Sequence, residues 1–340
     1  MASLKDISLK CGVSVATVSK AINNKKDVSD ETKQQVLKAA RELGYCLSVR
    51  TLNATRTNSI GVLFVDESNS GLMHDYFAGV LDSFKRTAED RGYDITFINC
   101  STKQPNRLTY LEHCRKHGFD GIVLASIDFG SSEVLELIAG DIPLVTIDHV
   151  FDNRISVMSD NVGGMNELME FIISKGHRKI AYIHGGPSAV TSGRLAGFFR
   201  TAERHGITIP EEYVLEVPYR SVEATYMATE TLLGLRNPPT CILFSDDFGA
   251  MGGLNAIRAR GLSVPEDISV AGFDGMRALQ YLDPRLTTII QDSESIGKVA
   301  ATKLIDLIES PRTTIVEQVV VPGHLSGGHT ICDISDKKKQ

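Results

Sequence analysis

From residue 60 to about residue 330 the chain repeats one rhythm, a short apolar run followed by a longer amphipathic stretch, and no other feature restricts its fold so severely. The apolar runs at 60–65, 94–99, 121–125, 143–147, 180–184, 240–244 and 268–273 are too short for buried helices and read as strands. The stretches between them, such as 77–91, 161–175, 194–205, 223–235 and 249–260, carry helical periodicity. Strands apolar on both faces that alternate with helices predict parallel sheets covered on both sides. Residues 61–340 are more than one sheet comfortably serves, so the expectation is two doubly wound α/β lobes. Lobe one would take about 61–160 and 290–320, and lobe two about 161–289 and 321–332, with the chain crossing between them near 160, 289 and 321.

Residues 1–45 read differently. Ser3-Leu4-Lys5-Asp6 opens like a capping box, Leu4, Ile7, Leu9 and Cys11 supply apolar positions, and Gly12 stops the helix. Ser14 caps a second helix over 15–22 in which Val18, Ala21 and Ile22 turn inward. Ser29 caps a third that runs through Leu43 on a stripe of Val36, Leu37, Ala40 and Leu43, and Gly44 closes it. Three short helices with a tight glycine turn between the first two describe a helix-turn-helix. Its second helix begins Val15-Ala16-Thr17, small enough for close approach to the major groove, with Lys20 one turn on for a guanine or a phosphate. Charge points the same way. Residues 1–60 carry ten Lys/Arg against five acids, a net +5 that leaves the remainder at −11 in a chain of −6. A basic head on an acidic body directs polyanion attraction to one end. A helical protein-interaction module remains the alternative at this level.

In open α/β sheets ligands sit beyond the carboxyl ends of the strands, so polar residues just after each apolar run form the candidate site. They are Asp66, Ser68 and Asn69; His74, Asp75 and Tyr76; Asp148 and His149; Asp160 and Asn161; Arg194, at an expected helix start; Tyr219 and Arg220; Asp246 and Asp247; Asp274; and Gln291. Carboxylates, amides and arginine with an aromatic suit a hydroxyl-rich ligand, a carbohydrate or polyol. Six scattered cysteines with no C-x-x-C pair read as reduced thiols. No apolar signal core and no 18-residue apolar run appear, which predicts a cytoplasmic protein with no membrane partner. Asp247-Phe248-Gly249 copies the kinase magnesium tripeptide without its companion motifs, and His113 and His117 lack a third ligand, so no catalytic residue, metal or cofactor is expected. Lys337-Lys338-Lys339 reads as a solvated tail.

The head motifs Asp6-Ile7, Cys11 through Lys20, Asn23, Val28 through Thr32 and Leu43-Gly44-Tyr45 resemble the lactose/galactose repressor (LacI/GalR) family, and the likeness runs through nearly the whole chain. The resemblance implies a homodimeric transcriptional regulator, most simply a repressor, whose two heads read a pseudo-palindromic double-stranded operator. Val15 and Ala16 would set specificity, with Ser14, Thr17, Ser19, Lys20 and Asn23 near bases or backbone. Lys20 replaces the family's usual arginine and loses its bidentate fork. Residues 46–60 would be a hinge, with Leu52 as a minor-groove wedge and Arg50 beside it. The interval from Tyr45 to Leu52 is shorter than usual and lacks the family's Pro-Asn pair. In the sensor, Arg194 and Asp274 would be the leading effector contacts, followed by Tyr219, Asp246 and Gln291. Asp66, Asn69, His74, Asp75, Tyr76 and Asp148 complete the set. Asp246 stands for an asparagine, and the two unusual carboxylates, Asp75 and Asp246, point to a ligand rich in donors or to an amine. A solute-binding module, an enzyme on the same scaffold and an effector-independent regulator are the rivals.

Overall fold

Short β-rich runs of Val, Ile and Leu flanked by capped helices give the computed structural model its order, and the structure describes residues 4–22, 28–42, 56–65, 71–98 and 108–335. Three helices form the head: α1 (Leu4–Cys11), α2 (Val15–Ile22) and α3 (Asp30–Glu42). Gly12, at φ 69°, ends α1 in the left-handed region where a side chain is disfavoured. Ser14 Oγ accepts the Thr17 amide at 3.0 Å and Ser29 Oγ that of Thr32 at 3.3 Å, capping α2 and α3. Ile7, Cys11, Val18, Ala21, Val28, Val36 and Ala39 make the head's own small core. Of the apolar positions in α1, Leu9 faces outward. It is 77% exposed, because i+2 from Ile7 lies on the far side of a helix. Ser3, Asn23, Leu43, Gly44, Arg50, Leu52, Asp66, Asn69 and the lysine tail lie outside the described residues.

The first sheet has strands β1 (Ser59–Leu63), β2 (Asp94–Phe97), β3 (Gly121–Ala125), β4 (Leu144–Ile147), β5 (Ile155–Ser159) and β11 (Gln318–Val321), in the order β11-β5-β4-β3-β1-β2. The second has β6 (Ile180–His184), β7 (Val214–Glu216), β8 (Cys241–Phe244), β9 (Ser269–Asp274), β10 (Thr287–Ile290) and β12 (His324–Ser326), in the order β12-β10-β9-β8-β6-β7. Helices α4 (Asp75–Asp90), α5 (Tyr110–His117), α6 (Ser132–Ala139) and α12 (Ser293–Glu309) belong to the first lobe. Helices α7 (Asn161–Ser174), α8 (Ala189–Arg204), α9 (Val222–Leu233), α10 (Asp247–Ala259) and the short α11 (Arg277–Gln280) belong to the second. The chain therefore passes from one sheet to the other after β5, after β10 and after β11.

Each sheet is cored on both faces. In the first lobe Val80 and Phe84 of α4 meet Ala300, Ala301 and Leu304 of α12 over one face, while Leu111, Cys114 and Leu137 cover the other. The α4–α12 crossing is tight enough that a Cβ on Gly297 would sit 2.2 Å from the Val80 carbonyl oxygen. Five strands lie beyond the seven read from sequence: β5, β7, β10, β11 and β12. They are short, Thr- or Ser-bearing, or at sheet edges, so they lack a continuous apolar signature. β12 also breaks the all-parallel expectation by running antiparallel to β10. Among the described residues no helix is long and apolar enough to cross a membrane.

Candidate functional site

Backbone strain marks the site before any side chain is considered. Five non-glycine residues have positive φ among those described: Asn58, Ser126, Asp148, Arg220 and Asp274. All but Asn58 line one cleft of about 820 Å³ between the two lobes. Ser126, Asp148 and Arg220 follow β3, β4 and β7, and Asp274 ends β9, so the carboxyl ends of both sheets face this space. Such conformations cost about 1–3 kcal/mol each and persist where the surroundings hold them.

The wall from the second lobe is an ionic array. Arg194 is only 3% exposed. Its Nε donates to Asn161 Oδ1 at 2.9 Å and its two terminal nitrogens to the Ser245 carbonyl oxygen at 2.6 Å and to Asp274 Oδ1 at 3.3 Å. Its guanidinium lies 3.7 Å above the centre of the Phe273 ring. Gln291 Nε2 donates to the same Asp274 Oδ1 at 2.7 Å, so among the described residues Oδ2 is left for a ligand donor. Burial pushes the Asp274 carboxyl up to about 7, against the opposing pull of Arg194. Tyr219 shares a hydrogen bond with Thr191 Oγ1 at 2.9 Å, and its ring lies over Gly185, where a Cβ would come within 2.0 Å of a ring carbon. Arg194 does not begin a helix, as the periodicity suggested. α8 starts five residues earlier because Ser188 Oγ caps it at the Thr191 amide.

The first-lobe wall is aromatic. Tyr76 Oη donates to Asp148 Oδ2 at 2.6 Å, and Asp148 Oδ1 accepts the Ser159 amide at 3.1 Å. Burial raises the Asp148 carboxyl and sends the Tyr76 phenol well above its ordinary value. Phe129 and His149 stack nearly parallel with ring centres 4.2 Å apart, and burial lowers the His149 imidazole below its ordinary value. His74, at the N-cap of α4, packs edge-on to Phe77 at 5.0 Å.

Two expected contacts are corrected. Asp246 does not line the cleft. Its Oδ1 caps α10 at the Gly249 amide (2.7 Å), and its Oδ2 accepts the Ser245 hydroxyl (2.8 Å) and the Arg220 amide (3.0 Å). Asp75 opens α4 and faces solvent away from the cleft lining. A carboxylate following a strand can cap the next helix instead of meeting a ligand, and sequence does not separate the two uses. His74, Tyr76, Asp148, Arg194, Tyr219, Asp274 and Gln291 do share the cleft. Ser126 through Gly130 line it too and were missed, although the after-strand rule applied to β3 finds them. Asp247 is buried beneath the site, bonded to Thr288 Oγ1 and the Met276 amide at 2.7 Å each, which is a structural role. His113 and His117 stack on each other, and among the described residues no cluster of metal-ligating side chains occurs.

In the head, Val15, Ala16 and Lys20 are exposed and Thr17 and Ser19 half-exposed along α2, while Val18 and Ala21 hold its other face to the core. Ser14 Oγ sits 2.8 Å from Thr17 Oγ1, so one hydroxyl pair lies at the helix's leading end. This face offers methyls, hydroxyls and one ammonium, which are groups suited to base edges and phosphates.

Comparison with known proteins gives this geometry a context. Residues 3–47 match the model for bacterial regulatory proteins of the lacI family, and residues 169–331 match a periplasmic binding protein-like domain. The chain is 34% identical over 320 residues to the "Probable HTH-type transcriptional repressor ExuR" of Bacillus subtilis (strain 168), covering 92% of this chain and 93% of that protein. It is 33% identical over 322 residues to the HTH-type transcriptional repressor PurR of Edwardsiella ictaluri (strain 93-146), covering 92% of each. Among solved structures, the transcriptional regulator CelR in complex with cellobiose superposes with a TM-score of 0.69 at 25% identity, covering 97% of this chain and 100% of that one.

Proposed function

The chain belongs to the LacI family of bacterial regulatory proteins, and from that premise we propose that it is a transcriptional repressor controlled by a sugar or polyol bound between its lobes. It is a DNA-binding regulator and not an enzyme. The head presents α2 to the major groove of a pseudo-palindromic operator, with Val15 and Ala16 choosing bases and Ser14, Thr17, Ser19 and Lys20 fixing register. Two chains act together so that both half-sites are read, and the work is done in the cytoplasm, where the operator is. Asn23, Arg50 and Leu52 join the DNA contacts, and Asp66 and Asn69 the effector contacts, as proposals from sequence.

One observation carries the control: the polar array of the cleft is built on the segments that join the lobes. Asn161, one residue past the first crossing, holds Arg194, and Gln291, at the second, holds Asp274. A ligand that reorganises Arg194 and Asp274 therefore pulls on two of the three connections, which is how binding becomes a change of lobe angle and of head spacing. Coupling of this kind typically amounts to about 1–3 kcal/mol, or 5–150-fold in operator affinity. The rings of Phe129 and His149 from the first lobe and Tyr219 from the second suit the apolar face of a sugar ring, and Asp274 Oδ2, open among the described residues, suits its hydroxyls. The test is a thermal-shift screen of the purified protein against sugars and polyols, followed by operator titration with each hit. A hit that changes operator affinity at least fivefold is expected. Hits that leave operator affinity unchanged would make the chain an effector-independent regulator.

A further inference from the structure

The charge in this cleft is committed unevenly. Arg194 spends all three of its nitrogens on Asn161, Ser245 and Asp274. Asp148 is spent on Tyr76 and the Ser159 amide. Arg220 is different. It lines the cleft, its Nε has no hydrogen-bond partner among the described residues, and its charge reaches the Asp274 carboxylate only through space, with Asp274 Oδ1 bonded to Arg194 and Gln291 instead. Its Nε is buried and unpartnered, which is unfavourable when nothing compensates, the more so for a charged group. The side chain is nevertheless held in place. One face of the guanidinium lies 4.3 Å over the ring of Phe248, its backbone is at φ 56°, and its amide is tied to Asp246 Oδ2 at 3.0 Å. A residue in a disfavoured backbone region, with a stacked guanidinium and open donors, is organised for an acceptor that the described residues do not place within hydrogen-bond reach of its Nε.

Resting on the reading of this cleft as a sugar site, we infer that Arg220 is an anion anchor and that the effector is an acidic sugar, a monosaccharide bearing a carboxylate or phosphate. The carboxylates do not oppose this. Asp246 serves a helix cap, Asp274 feels Arg220 through space but is bonded to Arg194 and Gln291, and Glu216 and Asp128 stand exposed at the cleft margin. The donor-rich or amine ligand suggested by the unusual carboxylates in the sequence loses its basis, because neither Asp75 nor Asp246 lines the cleft. A guanidinium backed by an aromatic ring grips a planar carboxylate or a phosphate through two donors, while the Phe129–His149 stack and Tyr219 hold the ring.

The experiment is calorimetric titration of the full chain with matched pairs: glucose against glucuronate, galactose against galacturonate, and glucose against glucose 6-phosphate. The expected result is tighter binding of at least one acidic member over its neutral parent, by about thirtyfold or more. Arg220→Gln should erase that preference, and Arg220→Lys should keep part of it, since charge remains and the fork is lost. Unliganded melting curves of both variants confirm that they fold. The carboxylate and phosphate arms tell the two sources apart. Neutral parents binding as tightly as their acids, or a preference that survives Arg220→Gln, would overturn the anchor and leave the sugar site standing. Binding of no sugar at all would overturn the sugar reading and the anchor with it.

Discussion

The head and the cleft put their working residues in opposite environments. In the head, Ser14 through Lys20 are consecutive, with Val15, Ala16 and Lys20 exposed and only Val18 committed to the core. In the cleft, Arg194, Asp274 and Gln291 come from distant segments and meet with little or no solvent. The difference teaches where function and stability are separable. An exposed face can change its chemistry at almost no cost to the fold, whereas the bonds of a buried ionic array cannot be altered without a cost to stability.

The largest effect expected from this contrast is at Arg194. Arg194→Ala removes the partner of Asp274 and of Asn161 and should cost about 3–5 kcal/mol of sensor stability in urea denaturation, together with effector binding. A loss below about 1 kcal/mol would erase the distinction between the two regions. Next comes pH. Because burial raises the Asp274 carboxyl to about 7, above its unfolded value near 4, its contribution to stability is fully present below about pH 4 and is lost as pH rises to about 7. Asp274→Asn should therefore flatten the pH dependence of the denaturation midpoint between pH 5 and 8. An unchanged profile would place that titration elsewhere.

At Lys20 the balance reverses. Lys20→Ala should weaken operator binding by about 1–3 kcal/mol in anisotropy titrations, with stability moving by no more than about 0.5 kcal/mol. A large stability loss there would mean that the reading face is also part of the core. The smallest effect sharpens the boundary between the two behaviours: Ser14→Ala deletes the cap on α2 and should lower head stability by about 1 kcal/mol in thermal melts, leaving effector affinity unchanged.

The same contrast explains what the sequence reveals. The head is legible because its capping serines, its glycine turn and its small-residue helix are local signals within about ten residues. Leu9, apolar yet exposed, shows that helical phase and not composition decides which side chains reach the core. Six of the seven strands read from sequence are legible because burial on two faces demands unbroken apolar runs, whereas β2, β11 and β12 at sheet edges face weaker demands, and of these only β2 was read. The cleft is half legible. Residues after strands can be enumerated, and Arg194, Tyr219 and Asp274 fall among them. Whether a given carboxylate caps a helix, as Asp246 does, or faces the ligand depends on geometry a few ångströms wide. Arg220 was visible as a letter, but its unsatisfied Nε and its seat on Phe248 were not.

The most direct measurement is anisotropy titration of the full chain, at about 150 mM salt, with a duplex selected from a random pool against bulk genomic DNA as competitor. The account predicts binding to the selected duplex at least about a thousandfold tighter than to bulk DNA. Equal affinity for both would contradict it.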